Sequence, residues 1–143
     1  MKTLEKQDIN SWACPKCGRE FLRKGQTHSC KTFPLEQHFS GKTKWRKLFN
    51  KLSEAISTRI GNFKIDSIEC CIHLVHQSTF TAVKVMKDRL RVDFSLDYEL
   101  SNARIGKTVK MSKNRFLFYV DITKEDDIDT ELIQWLTEAY FLK

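Results

Sequence analysis

The chain has no apolar run long enough to cross a membrane, which excludes a helical membrane protein. Its N-terminus, Met1 to Ser11, is polar and lacks the apolar h-region of a secretory signal, so a cytoplasmic setting with reduced thiols is expected. The five cysteines do not make an even disulfide set. No phosphate loop, Gly-x-Gly fingerprint, Gly-x-Ser-x-Gly elbow or His-Glu-x-x-His is present, which removes the commonest nucleotide-binding, serine-hydrolase and zinc-protease signatures. There is also no internal repeat and no low-complexity segment.

What is present is ordinary in bulk. The 143 residues are 41% apolar and 30% charged, enough for one globular domain with an appendage. The formal net charge is +7, with basic residues spread along the chain and acids gathered towards the C-terminus. That balance favours an anionic partner, such as nucleic acid or an acidic protein, and with no spanning run no membrane partner is expected.

One stretch implies a specific chemistry. Trp12-Ala-Cys14-Pro-Lys-Cys17-Gly-Arg-Glu-Phe21 is followed by His28-Ser-Cys30. Cys-x-x-Cys presents two sulfurs to one ion from a tight turn, which Pro15 stiffens and Gly18 relieves. Zinc takes four N or S ligands in a tetrahedron, and the second pair usually follows roughly a dozen residues on. Cys14, Cys17, His28 and Cys30 are therefore expected to hold a structural Zn2+, with His38 as the rival for the fourth position. A redox reading of the Cys-x-x-Cys expects a preceding strand and a following helix, which these flanks do not suggest. A module this small buries too little apolar surface to fold alone, so the metal would supply its folding free energy.

The rest reads as α+β. The domain organisation expected is a zinc-knuckle module with a polar tail over 1–33 and an α+β domain over 34–143. Thr32 is placed to cap a short helix through Phe39, broken at Ser40-Gly41. Trp45, Leu48, Phe49, Leu52, Ile56 and Ile60 then recur at three- and four-residue spacing, the mark of a helix with one apolar stripe, and Gly61-Asn62 ends it. Lys42, Lys44, Lys47 and Lys51 fall mostly off that stripe, as a solvated face or as a ridge for phosphates.

Residues 63–122 read as antiparallel strands, about five in all. Alternation through Ile68, Cys70, Ile72 and Leu74 predicts one strand, in which Cys70-Cys71 contribute to packing. Leu90, Val92, Phe94 and Leu96 alternate with Arg91, Asp93 and Ser95 after a turn at Lys87-Asp88. Thr108–Met111 and Arg115–Ile122 make a second hairpin. A last helix starts at Asp126 or Asp127, where acids suit the helix dipole, and buries Ile128, Leu132, Trp135, Leu136, Ala139 and Tyr140. One helix at each end of an antiparallel sheet gives a helical layer on one sheet face.

Catalytic residues are not indicated. His73 and His76, three apart in a strand, point to opposite faces and make poor joint ligands. Asp93 with Arg91 and Lys84 is the one thin arrangement of the carboxylate and cations a nuclease sheet would need. The expectation is a non-enzymatic binding module, with a small-ligand or enzymatic α+β domain as the alternative.

The knuckle together with Gln26-x-His28-Ser-Cys30, His38-Phe-Ser-Gly-Lys42, Phe80-Thr-Ala-Val83 and Glu131-x-x-x-Trp135-Leu-x-Glu-Ala-Tyr140 resembles an uncharacterised bacterial family. In that family a short Cys/His finger precedes a domain of unknown function, and some relatives carry the label "predicted transport protein". The resemblance implies a zinc-ribbon-like head on a small cytoplasmic α+β domain and supplies no reaction; nothing in this composition supports transport. The family pattern places a lysine in the first sheet region and a Pro-Arg pair in the later loop, where Glu69 and Asn102-Ala103-Arg104 stand here.

Overall fold

A computed structural model describes residues 12–15, 20, 21, 25 and 33–142. The chain divides into two compact units, Met1–Phe33 and Pro34–Lys143. In the first, β1 (Trp12–Ala13) pairs antiparallel with β2 (Glu20–Phe21), with Trp12 opposite Phe21 and Ala13 opposite Glu20.

The second unit begins with a 3-10 segment, Leu35–Phe39, that buries Phe39. Thr32, expected to cap it, lies outside the described residues. Gly41 adopts φ +70°, a left-handed turn that glycine makes without a Cβ clash, and helix α1 (Thr43–Arg59) follows. Its buried side chains are Trp45, Leu48, Phe49, Leu52 and Ile56, the stripe read from the spacing.

Six strands follow: β3 (Lys64–Ser67), β4 (Ile72–Val75), β5 (Thr79–Val85), β6 (Leu90–Leu96), β7 (Ile105–Ser112) and β8 (Arg115–Ile122). All pair antiparallel in the order β3-β4-β5-β6-β8-β7. The expectation of about five strands is corrected to six. The segment expected as one strand through Leu74 is a hairpin, because Ile68 and Cys71 exchange backbone hydrogen bonds and the chain reverses between them. The period-2 alternation continues through this turn, and no glycine, proline or asparagine marks it.

Helix α2 (Thr130–Phe141) closes the unit. It starts later than expected, because Glu125–Asp127 forms a separate 3-10 turn and Asp129 is the cap, its side chain accepting the Leu132 amide.

Both helices lie on one sheet face. That face carries Ile72 and Leu74, Val83, then Leu90, Val92, Phe94 and Leu96, then Phe118, Val120 and Ile122, all buried in one cluster with the helix stripes. Trp135 of α2 stacks on Phe94 at 5.6 Å, and Tyr140 meets Phe80 edge-on at 4.9 Å. Strand order follows burial. The apolar β8 sits inside the sheet, while β7, with Lys107 and Lys110, takes the edge, where charge discourages pairing with another chain. Among the described residues no helix is long and apolar enough to cross a membrane.

Candidate functional site

Arg104, in the loop where the resembling family places its Pro-Arg pair, is engaged within the fold. Its Nη1 donates to Asp129 Oδ1 and Oδ2 at 2.8 and 3.0 Å and to Glu131 Oε1 at 3.2 Å, and its Nη2 donates to the Asp127 carbonyl at 2.8 Å. The guanidinium also lies 5.9 Å from the Trp135 ring. Asn102 braces the loop, accepting the Arg104 amide and donating to Glu131. Burial alone would lower the Arg104 pKa, but Asp129 and Glu131 hold it above its ordinary value. The arrangement is a clamp on the start of α2.

The sheet face opposite the helices carries a mixed row in register. Asp66 pairs with His73, His73 with Ala82, Ala82 with Asp93, Asp93 with Tyr119, and Tyr119 with Lys107. The next row runs Lys84, Arg91, Asp121. Ala82 is a single methyl between two larger side chains, so His73 and Asp93 flank a low point in the row. Burial pushes the Asp93 carboxyl up to about 6, against the Ala82 amide that hydrogen-bonds it. Burial lowers His73, opposed by the charge of Asp66. The Thr79 hydroxyl lies 3.5 Å from His73 Nδ1.

Lys84, Arg91 and Asp93 thus share this face, and of the three Arg91 is engaged in an ion pair. Arg91 Nε donates to Asp121 Oδ1 at 3.2 Å, and Arg89 lies 3.6 Å from the same carboxylate. Arg91 and Lys107 both sit near the Tyr119 ring, at 5.9 and 5.8 Å. Among the described residues no group of three His, Cys, Asp or Glu side chains is placed to hold a metal. His76 lies on the helix side, stacked on Tyr140 at 4.1 Å, so the two histidines do face opposite ways. The His73–Ala82–Asp93 row was not legible beforehand, because a row across strands depends on register.

On α1 the cations divide by role. Arg46 donates to Glu36 Oε1 and Oε2 at 3.0 and 2.7 Å and to Asn50 at 2.6 Å, tying the helix to the 3-10 segment. Lys44, Lys47 and Lys51 are exposed at three- and four-residue spacing, and the first turn holds no acid. Lys44 lies over the Trp45 ring at 4.8 Å, and Lys51 is 3.9 Å from Glu125. The stripe changes sign at Glu54.

Of the expected zinc ligands, Cys14 immediately follows β1 and is buried. Cys17, His28 and Cys30 lie outside the described residues. The β1–β2 pairing brings the chain on either side of Cys14 together, with Ala13 opposite Glu20. The rival His38 lies in the 3-10 segment of the second unit. Burial lowers its pKa, a hydrogen bond with the Ile68 backbone raises it, and the charge of Lys42 adds to the lowering.

A family model described as domain of unknown function (DUF5655) matches residues 35–143, and the chain belongs to that family. No curated protein and no solved structure matches it.

Proposed function

We propose that the protein is a non-enzymatic, zinc-containing binding module of the cytoplasm that contacts nucleic acid through its basic surface. The observation that carries this reading is the exposed Lys44–Lys47–Lys51 stripe on α1, whose first turn holds no acid and of which Lys51 lies 3.9 Å from Glu125. Such a stripe meets a row of phosphates and releases their counterions. The second sheet face suits phosphates less well, since Asp121 already engages Arg91. Outside the α+β domain, Lys16, Arg19, Arg23, Lys24 and Lys31 add positive charge around the knuckle, against Glu20.

Cys14, Cys17, His28 and Cys30 would hold the metal. The β1–β2 pairing on either side of the Cys-x-x-Cys sequence and the burial of Cys14 support a sulfur-rich structural site. Three thiolates and one imidazole close the coordination, which suits structure rather than catalysis. The metal would supply the folding free energy of a unit too small to fold without it.

The test is a binding isotherm of the full chain on a DNA and an RNA oligonucleotide across a salt series. Affinity should fall steeply with salt, and Lys44→Ala and Lys47→Ala should each lower the log–log slope by about 1. Tight binding to an acidic peptide instead, with no measurable nucleic-acid binding, would move the proposal to a protein partner.

A second reading rests on Asp93. Its carboxyl, pushed up to about 6 by burial, faces His73 across Ala82, and a small polar ligand would fit between the two side chains. Ligand-induced chemical-shift changes confined to His73, Ala82 and Asp93 would favour this reading.

A further inference from the structure

The β3–β4 turn ends in two adjacent cysteines. Ile68 donates its amide to the Cys71 carbonyl at 3.0 Å and accepts from the Cys71 amide at 3.3 Å, leaving Glu69 and Cys70 as the connecting pair. Cys70 is exposed, Cys71 is half-buried, and neither is in a disulfide. Their sulfurs lie 3.1 Å apart and share a hydrogen. Because Ile72 pairs with Val83, Cys71 stands next to Lys84 at the end of the second sheet face. The Cys71 thiol is pushed up to about 12 by burial, by its hydrogen bond with Cys70 and by the charges of Cys70 and Asp93, while Lys84 opposes the shift. Cys71 is thus held as a thiol against the exposed sulfur of its neighbour.

We propose that Cys70 and Cys71 form a reversible two-electron site that closes to a vicinal disulfide by exchange with a small disulfide of the glutathione class. The Cys70 thiolate, the sulfur a dissolved reagent meets, attacks one sulfur of the reagent and expels the first thiolate. Cys71 then gives up its proton to the medium and attacks Cys70 Sγ, releasing the second thiolate. The protein loses two electrons and two protons, and the reagent becomes two thiols.

Geometry favours closure over a lasting adduct. The sulfurs need to approach by only about 1 Å to reach bonding distance. Geometry also makes the product labile. Adjacent Cα atoms are held roughly 3.8 Å apart by a trans peptide, below the roughly 4.4–6.8 Å that disulfides prefer, so the ring is strained and readily reduced. The site therefore reports or responds to the thiol poise of its surroundings and is distinct from the knuckle cysteines.

The experiment exposes zinc-replete full-length protein to oxidised glutathione, quenches with acid, and digests with trypsin without reduction. The peptide 65–84 contains Cys70 and Cys71 and no other cysteine. The wild-type peptide should appear lighter by two hydrogens and recover its mass on treatment with reduced glutathione. Cys71→Ser should leave one glutathione stably attached at Cys70, and Cys70→Ser should react about tenfold more slowly, since Cys71 is half-buried. A wild-type peptide that keeps one or two glutathiones, or stays unmodified, would overturn the proposal.

Discussion

One carboxylate, Asp129, both starts the last helix and holds the loop that precedes β7. Arg104 Nη1 reaches its two oxygens at 2.8 and 3.0 Å, while Oδ1 also accepts the Leu132 amide at 3.0 Å. Asp129→Ala should destabilise the domain by about 1–2 kcal/mol, as loss of a helix cap does, and Asp129→Asn by less, since the amide oxygen still caps. Urea denaturation at neutral pH measures both.

The same pair sets an acid limit. Burial would raise the Asp129 carboxyl, but the Leu132 amide and Arg104 together hold it below its ordinary value. A carboxylate depressed in the folded state contributes stability above its unfolded pKa of about 4, and that contribution is lost as pH falls through the folded value. The wild type should therefore lose more stability than Asp129→Asn on acidification below about pH 4. Parallel pH curves for the two proteins would show that the pairing contributes nothing.

Asp93 has the opposite sign. Its folded pKa of about 6, raised by burial, lies above the unfolded value of about 4. The protonated form is favoured in the folded protein, so the stabilising contribution is present at low pH and is lost as pH rises from about 4 through about 6. Asp93→Asn should stabilise the domain at pH 7 by about 1–2 kcal/mol and have little effect at pH 4. Thermal unfolding at the two pH values, with an NMR titration of the Asp93 carboxyl, checks this.

Gly61 lies against Tyr140. A Cβ there would stand 2.7 Å from the Tyr140 hydroxyl. That hydroxyl donates to the Asn62 carbonyl at 2.7 Å, and its ring is stacked on His76 and packed on Phe80, so it has little room to yield. Gly61→Ala should destabilise by about 1–3 kcal/mol. In a Tyr140→Phe background the same change should cost less, because the closest atom is gone. A double-mutant cycle that comes out additive would show the clash is relieved elsewhere.

For the knuckle, native protein should carry one zinc per chain by elemental mass spectrometry, and Cys14→Ser and His28→Ala should weaken its retention. His38→Ala should leave it unchanged. A variant pattern reversed between the two histidines would tie the metal to the 3-10 segment of the second unit.

Much of the α+β unit was legible in the chain. The α1 stripe follows from 3.6-residue periodicity, and Trp45, Leu48, Phe49, Leu52 and Ile56 are buried as that spacing requires. Alternation marked β6, and the Lys87-Asp88 turn separates it from β5. The same alternation misled at Cys70, because a two-residue turn preserves the period of the residues on either side. Cys70 is exposed at that turn instead of packed in a strand.

What residue order determined by itself was therefore local: helix faces, strand alternation and the acids at the start of α2. Each depends on neighbours within a few residues. The tertiary structure alone decided that β8 lies between β6 and β7, that Ala82 falls between His73 and Asp93, and that Arg104 reaches Asp129. Those relationships join residues far apart in the chain. They depend on how apolar strands sort to the sheet interior and charged ones to its edge, a competition among all the strands at once.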